Sequence, residues 1–296
     1  MSDSTFPVIK LYGVYGYPVG HSLSPLFQNE AFRIANLNAV YLPFSVEPER
    51  LREAVEAVRA LQMGGINITI PHKQTVIPYL DQIKGDALLT GSVNTIVNRN
   101  GELIGYSTDG DGFLLSLRKE AGFEPADKEV IILGAGGASR AISFALARSK
   151  VRSLHLVNRN PERATLLRRD LLERLGFEVK VYDYSDPELK RLAAAADLVI
   201  NTTPVGIFPE VDATPPFPLE YCAAGRLVCD IIYRPQETKW LKRASELGLR
   251  TLGGLGMLIY QGILSFSLWT GITPSEEPLR AVLNKALVVS TGQDGD

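Results

Sequence analysis

Cysteine is almost absent: Cys222 and Cys229 are the only two in 296 residues, and no CxxC occurs. Each lies in or beside an apolar stretch. That favours two half-buried thiols over a disulfide or a metal site and points to a reduced, cytoplasmic setting. Histidine is nearly as scarce. His21, His72 and His155 pair neither with a cysteine nor with one another at ligand spacing, so no zinc or other metal site is expected. Long hydrophobic runs are missing too. Runs such as residues 130–133 and 257–260 fall far short of the roughly 20 residues a membrane span needs. Residues 1–5 show no basic segment leading into an apolar one, so no secretory signal is expected. Neither sign of charge dominates: 31 Lys and Arg face 33 Asp and Glu, a net of −2. Nucleic acid finds no general positive field here, and there is no acidic tail. What is present, 45% hydrophobic and 22% charged residues, describes an ordinary globular chain and excludes disorder as its dominant state. At roughly 150 residues per domain, the length suits one large domain or two moderate ones.

Strand and helix patterns alternate almost throughout, which predicts an α/β architecture with parallel sheets. Residues 10–16 read as a strand emptying into a loop that carries Ser22 and Ser24. Pro25 then suits the first helical position, with Ser24 as N-cap. Residues 39–46 read as a strand and 47–63 as a helix stopped by Gly64-Gly65. Ile66-Asn67-Ile68-Thr69-Ile70 alternates as a strand, and Pro71-His72-Lys73 leaves its carboxyl end. Residues 93–97 and 102–106 flank Asn100-Gly101, a strong hairpin signal, and deliver the chain to Ser107-Thr108-Asp109-Gly110. A second unit opens after the charged stretch 120–129. Strands are predicted at 130–133, 153–157, 178–182, 198–201 and 227–232, with a helix at 161–175; helices near 255–269 and 275–288 end the chain.

Between the strand 130–133 and an Ala-rich helix stands Gly134-Ala135-Gly136-Gly137-Ala138-Ser139-Arg140. Gly134 permits a tight turn, and Gly136 and Gly137 let backbone approach a pyrophosphate at a helix N-terminus. Ser139 holds the place of a third glycine. The motif predicts a dinucleotide; a plain βα turn is the alternative. An NAD site usually carries an acidic residue at the end of the next strand. Here that strand ends in Asn158-Arg159, with Arg163 four residues further. Two guanidiniums so spaced suit a 2′-phosphate and point to NADP, unless both merely decorate a solvated helix. Thr69 and Lys73 sit where α/β sheets place ligands, although a lone lysine there also reads as surface. Asp109 also reads as an N-cap for a helix starting near Asp111, and Asn94 as structural.

Taken in order, the stretches Gly20-His21-Ser22-Leu23-Ser24-Pro25, Asn67-Ile68-Thr69-Ile70-Pro71-His72-Lys73, Gly91-Ser92-Val93-Asn94-Thr95, Ser107-Thr108-Asp109-Gly110, 134–140, Asn158-Arg159, Asp230-Ile231-Ile232-Tyr233 and Gly253-Gly254-Leu255-Gly256-Met257-Leu258 with Gln261 resemble the shikimate dehydrogenase family across nearly the whole chain. The family also includes quinate-using members. The resemblance implies NADP-dependent, reversible reduction of 3-dehydroshikimate in aromatic amino-acid biosynthesis. It implies two α/β domains: a substrate domain, 1–110 plus 254–296, completed by the C-terminal helices, and a Rossmann NADP domain, 111–253, inserted between. Ser22, Ser24 and Tyr233 then look like contacts to the substrate carboxylate. Thr69, Lys73, Asn94, Asp109 and Gln261 look like contacts to the ring hydroxyls and the reacting oxygen, with Lys73 and Asp109 as the catalytic pair. Gly134, Ala135, Gly136, Gly137, Ala138, Asn158, Arg159, Arg163, Thr203, Gly254 and Met257 look like the cofactor contacts.

That assignment is chemically coherent. Hydride delivery to a ketone leaves negative charge on oxygen, which an ammonium can meet and protonate. A neighbouring carboxylate would orient that ammonium and hold its charge, and the two are taken as one unit because the sequence does not tell which of them gives the proton. Two positions depart from the common pattern. Ile207 stands where Met is frequent, and Asn160 where Thr is common, which puts one hydrogen bond to the 2′-phosphate in doubt. A quinate/shikimate dehydrogenase of broader substrate and cofactor use, a non-catalytic dinucleotide-binding regulator and a methylene-folate dehydrogenase are the competing readings. The first two lack support in an acidic strand end or in a lost Lys/Asp pair; the third would lack the two-serine loop and the Thr-Asp-Gly turn. The expected partner is a small-molecule substrate, with monomer and homodimer both open.

Overall fold

The computed structural model describes residues 8–20 and 22–292; His21 and residues 1–5, both used above, lie outside them. The chain divides into two compact units, Met1–Thr108 with Gln261–Asp296, and Asp109–Tyr260. No helix among the described residues is long and apolar enough to cross a membrane.

The first unit holds a six-stranded sheet of β1 (Lys10–Gly16), β2 (Ala39–Ser45), β3 (Gly65–Ile68), β4 (Gln82–Ile83), β5 (Thr95–Arg99) and β6 (Glu102–Tyr106). Its order is β2-β1-β3-β5-β6-β4. It is mixed rather than purely parallel: β1 runs parallel to β2 and β3, whereas the hairpin through Asn100-Gly101 makes β5 antiparallel to both β3 and β6. Strand alternation sorts the side chains onto two faces. Tyr15, Ile66, Ile68 and Ile96 pack with Leu51, Val55 and Val58 of α2 (Leu51–Ala60). On the other face Tyr12 meets Phe32 of α1 (Ser24–Ile34) and Trp269 of α9 (Leu255–Thr270), at centroid distances of 4.8 and 5.2 Å. The short helix α3 (Asp86–Thr90) precedes β5, and α10 (Glu276–Gly292) packs beside α1.

Helix ends depart from expectation where side chains found other partners. The Ser24 amide takes the Ser22 hydroxyl at 3.3 Å, so Ser24 is the first helical residue and Leu23 holds the cap position without a side-chain bond. Helix α2 stops before Gly64: Gln62, at φ 50°, makes the left-handed exit. Gly64 and Gly65 serve close packing instead, because a Cβ on either would overlap the Tyr12 ring or the Trp269 indole.

The second unit opens with α4 (Asp109–Ala121), earlier than the sequence suggests, so Asp109 is a helical residue and not an N-cap. Its sheet, ordered β12-β11-β10-β7-β8-β9, is wholly parallel. The strands are β7 (Glu129–Leu133), β8 (Ser153–Val157), β9 (Lys180–Tyr182), β10 (Leu198–Asn201), β11 (Leu227–Asp230) and β12 (Arg250–Leu252). The order reverses beside β7, as in a doubly wound dinucleotide fold. Helices α5 (Gly137–Arg148), α6 (Pro161–Leu175), α7 (Glu188–Ala195) and α8 (Lys239–Glu246) complete it, with Val157, Leu192, Val228 and Trp240 in one core. Both junctions fall inside the stretches assigned above to the substrate domain, after Thr108 and after Tyr260. The start of α9 belongs with α4. A Cβ at Gly256 would collide with Ser116 and Glu120, and Lys119 lies 5.0 Å from the Tyr260 ring centroid.

Candidate active site

In the first unit the candidate residues cluster at the carboxyl end of β3 and around the start of β5. Thr69 and Lys73 share the turn leaving β3. The Thr69 amide donates to Tyr15, the His72 amide to Thr69 and the Val93 amide to the Lys73 carbonyl, all at 2.8–2.9 Å. Fully buried His72 bonds the Val46 carbonyl through Nε2 at 2.7 Å. The Lys73 main chain is thereby fixed on two sides while its side chain stays half-exposed.

Asn94 is nearly buried and its amide is held at both ends. Its oxygen accepts from the Thr108 amide at 2.8 Å and the Thr95 hydroxyl at 3.1 Å. Its nitrogen donates to Thr108 Oγ1 at 2.8 Å and Gln261 Oε1 at 3.4 Å. Asn94 and Gln261, 167 residues apart, are therefore neighbours. Ser22 and Ser24 sit half-buried before and at the start of α1. The sequence reading assigned no role to four groups that hold this cluster: Tyr41, Asn67, Thr108 and Ser265. The detectable signal was Asn67, a polar residue flanked by isoleucines inside a buried strand.

The other candidates belong to the second unit. Asp109 opens α4, where the positive end of the helix favours a carboxylate. Tyr233 is half-buried, and burial pushes its phenol pKa up. Met257 lies half-buried on the first turn of α9.

The glycine turn runs as its sequence predicts. Gly134 has φ +110°, a conformation L side chains rarely adopt, and its amide donates to Val157 at 2.8 Å. Ser139 Oγ donates back to the Gly134 carbonyl at 2.8 Å, pinning the turn to the helix. No side chain caps α5, and nothing lies within 4 Å of a Cβ built on exposed Gly136. Exposed amides on an uncapped helix of 12 residues form an anion cradle.

At the end of β8, Asn158 Nδ2 donates to the Asn160 carbonyl at 2.6 Å, and Asn160 Oδ1 caps α6 by accepting from the Glu162 amide at 2.9 Å. Asn160, the residue that departs from the common pattern, is thus committed to its helix. Arg159 and Arg163 are exposed, and among the described residues no carboxylate pairs with either. This donor set fits an anionic 2′-phosphate, and the cradle fits a pyrophosphate, so the residues present suit a dinucleotide phosphate.

Thr203 stands on the loop after β10, which Asn201 organises. Asn201 Oδ1 accepts from the Thr203 amide and hydroxyl at 3.0 and 2.7 Å, and Nδ2 donates to Asp230 Oδ1 at 3.2 Å. Asp230 accepts further bonds from Thr238 Oγ1 and the Ile232 amide, yet burial raises its pKa to about 6. Gly254 follows closely. Its amide donates to Ile232, and a Cβ there would run into the Ile231 carbonyl.

Three family descriptions match in chain order: the shikimate dehydrogenase substrate binding domain over residues 14–96, shikimate / quinate 5-dehydrogenase over 117–205, and the shikimate 5′-dehydrogenase C-terminal domain over 254–283. A shikimate dehydrogenase (NADP(+)) from Desulforamulus reducens is 46% identical over 276 residues, 93% of this chain and 95% of that protein. A crystal structure of a shikimate dehydrogenase in complex with NADP+ is similar at TM-score 0.88 and 39% identity, over 94% of this chain and 96% of that one. That of the Thermus thermophilus shikimate 5-dehydrogenase with NADP(H) and shikimate is similar at TM-score 0.82 and 34% identity, over 94% and 100%. By identity, coverage and fold, this chain belongs to the shikimate dehydrogenase family.

Proposed function

We infer that the chain catalyses the NADP-dependent, reversible reduction of 3-dehydroshikimate to shikimate, a step of aromatic amino-acid biosynthesis. The observation that carries the reading is the uncapped glycine turn of α5 together with two exposed arginines, Arg159 just after β8 and Arg163 on the first turn of α6. An acidic residue at that strand end would favour NAD; Asn158-Arg159 stands there instead. The relatives' names carry the same activity and cofactor.

The division of labour follows from the resemblance and the chemistry of the side chains. Ser22, Ser24 and Tyr233 hold the substrate carboxylate through hydroxyl donors. Thr69, Asn94 and Gln261 bond the ring hydroxyls; a buried amide that loses its hydroxyl partner is left unsatisfied, which gives discrimination among close analogues. NADPH, when bound, supplies the hydride. Lys73 meets the negative charge developing on the reacting oxygen and exchanges a proton with it. Asp109 orients the ammonium, so the two act as one unit. The turn Gly134, Ala135, Gly136, Gly137 and Ala138 receives the pyrophosphate, Asn158, Arg159 and Arg163 the adenosine phosphate, and Thr203, Gly254 and Met257 the nicotinamide end. On this reading residues 1–110 with 254–296 form the substrate domain and 111–253 the cofactor domain. The protein works on small molecules in the cytoplasm, a setting that the free thiols of Cys222 and Cys229 support, as a monomer or homodimer without a nucleic-acid partner.

The test is steady-state oxidation of shikimate and of quinate, each with NADP and with NAD, followed by the absorbance of reduced nicotinamide. The shikimate and NADP pair is expected to give the highest kcat/KM. Lys73→Ala is expected to lower kcat about 100-fold or more with a modest change in shikimate KM. No turnover of shikimate at high protein concentration would overturn the activity, and near-normal turnover by Lys73→Ala would overturn its role.

A further inference from the structure

Asn67 lies inside β3 between two buried isoleucines, on the sheet face that α1 and α9 cover. Every polar atom of its amide is engaged. Oδ1 accepts from the Tyr41 hydroxyl at 2.7 Å. Nδ2 faces the Asn94 carbonyl at 3.0 Å, Thr95 Oγ1 at 3.2 Å and Ser265 Oγ at 3.2 Å. Tyr41 itself is fully buried on β2, its ring 6.0 Å from that of Trp269, and a phenylalanine would fill the same space. The hydroxyl therefore needs a reason beyond packing. The Asn94 carbonyl can only accept, so the end of the amide that meets the Tyr41 O–H is the oxygen. The other end must then present N–H groups to Asn94, Thr95 and Ser265.

From there the bonds continue into the candidate site. Thr95 Oγ1 donates to Asn94 Oδ1 at 3.1 Å, and Ser265 Oγ bonds Thr95 at 2.7 Å and the Gln261 carbonyl at 3.0 Å. Tyr41 is anchored in turn: the Asn29 side chain pairs with its main chain in both directions, at 2.8 and 2.9 Å.

We propose that Tyr41 is a positioning residue for the substrate: by fixing the Asn67 amide, its hydroxyl holds the side chains of Asn94 and Gln261 in register. This rests on the reading of those two residues as contacts to the substrate hydroxyls. Without the phenol oxygen, Asn67 Oδ1 is buried with no donor, and the amide is held from its nitrogen end alone. The loss spreads along the bonds because each one orients the next.

Tyr41→Phe is the direct experiment, with shikimate and NADP as probes and the melting temperature measured alongside. Loss of one well-oriented hydrogen bond in this setting corresponds to an increase in shikimate KM of about tenfold. kcat is expected to stay within about twofold and the NADP KM to be unchanged, because the contact serves ground state and transition state alike. The same change in an Asn94→Ala background is expected to shift shikimate KM by less than about twofold, as groups acting through one another are not additive. An unchanged shikimate KM in folded Tyr41→Phe, or an equal factor in both backgrounds, would overturn the proposal. If instead Asn94→Ala alone leaves shikimate KM unchanged, its assignment as a substrate contact fails, and the positioning role falls with it. Ser265→Ala, tested against Gln261→Ala, carries the same expectations and keeps the question answerable if Tyr41→Phe does not fold.

Discussion

Single residues divide into those whose chemistry acts outward and those that only hold others. Arg159 and Arg163 were legible because a charge beside a glycine turn has few uses other than binding, and both are exposed without carboxylate partners among the described residues. Arg159→Ala is expected to weaken NADP about tenfold or more, the worth of one charge-assisted bond, and to leave shikimate KM and NAD use as they are. Unchanged NADP affinity by titration would remove Arg159 from the site. Asp230 belongs to the stretch Asp230-Ile231-Ile232-Tyr233, but its role depends on burial that no spacing reveals. Its pKa, 3.8 ordinarily, rises to about 6 because burial outweighs three hydrogen bonds. Below 3.8 folded and unfolded chains alike carry the proton; between 3.8 and about 6 only the folded chain keeps it. The stability this group contributes is thus full at low pH and is lost as pH rises through that window, by up to roughly 3 kcal/mol. Asp230→Asn keeps two acceptor bonds on its oxygen and can donate to Thr238 from its nitrogen. Between about pH 4 and pH 7, urea midpoints of the variant are expected to gain on those of the parent by up to that amount. A gap independent of pH would show that the raised pKa does not act on folding.

Among elements, the longer strands and helices were readable, whereas the short strands Gln82–Ile83 and Arg250–Leu252 and the short helix Asp86–Thr90 were not, and most ends shifted. The strand Lys10–Gly16 and the helix Pro161–Leu175 match the pattern residue for residue, because burial period and capping chemistry agree there. Ser24 and Asp109 lie a position or two from where the pattern puts them, because the Ser24 amide donates to the Ser22 hydroxyl and Asp109 starts its helix outright. The antiparallel half of the first sheet follows from the Asn100-Gly101 hairpin, which was legible; its effect on an otherwise parallel sheet was not drawn from the pattern. Glycines show how one residue type does two jobs at element ends. Gly136 opens on empty space in extended backbone, φ −89° and ψ −169°, so Gly136→Ala is expected to leave the melting temperature unchanged while raising NADP KM. Gly254 lies against the Ile231 main chain, which cannot swing aside, so Gly254→Ala is expected to cost about 1–3 kcal/mol in urea unfolding. Equal loss of stability in both variants would contradict the distinction.

At the level of the whole molecule, the return of the chain to its first unit was visible only through family resemblance. In α9 the chain passes from one unit to the other between Tyr260 and Gln261, where Gln261-Gly262 interrupt its apolar residues, but such a polar step inside a helix does not announce a change of unit. Each unit nevertheless has its own sheet and its own buried cluster, Ile66 and Ile96 in one, Val157 and Trp240 in the other. Separate cores can open separately, and a ligand stabilises the segments whose opening would release it. NADP is therefore expected to slow amide hydrogen exchange in the segments around residues 130–165, which carry the glycine turn and the arginines. Shikimate is expected to slow exchange most around residues 66–73 and 92–108, where Lys73 and Asn94 stand. Protection of the 66–108 segments by NADP alone, with none from shikimate, would reverse the proposed division of labour. Protection of neither region by its ligand would remove the reason for placing the two sites on separate cores.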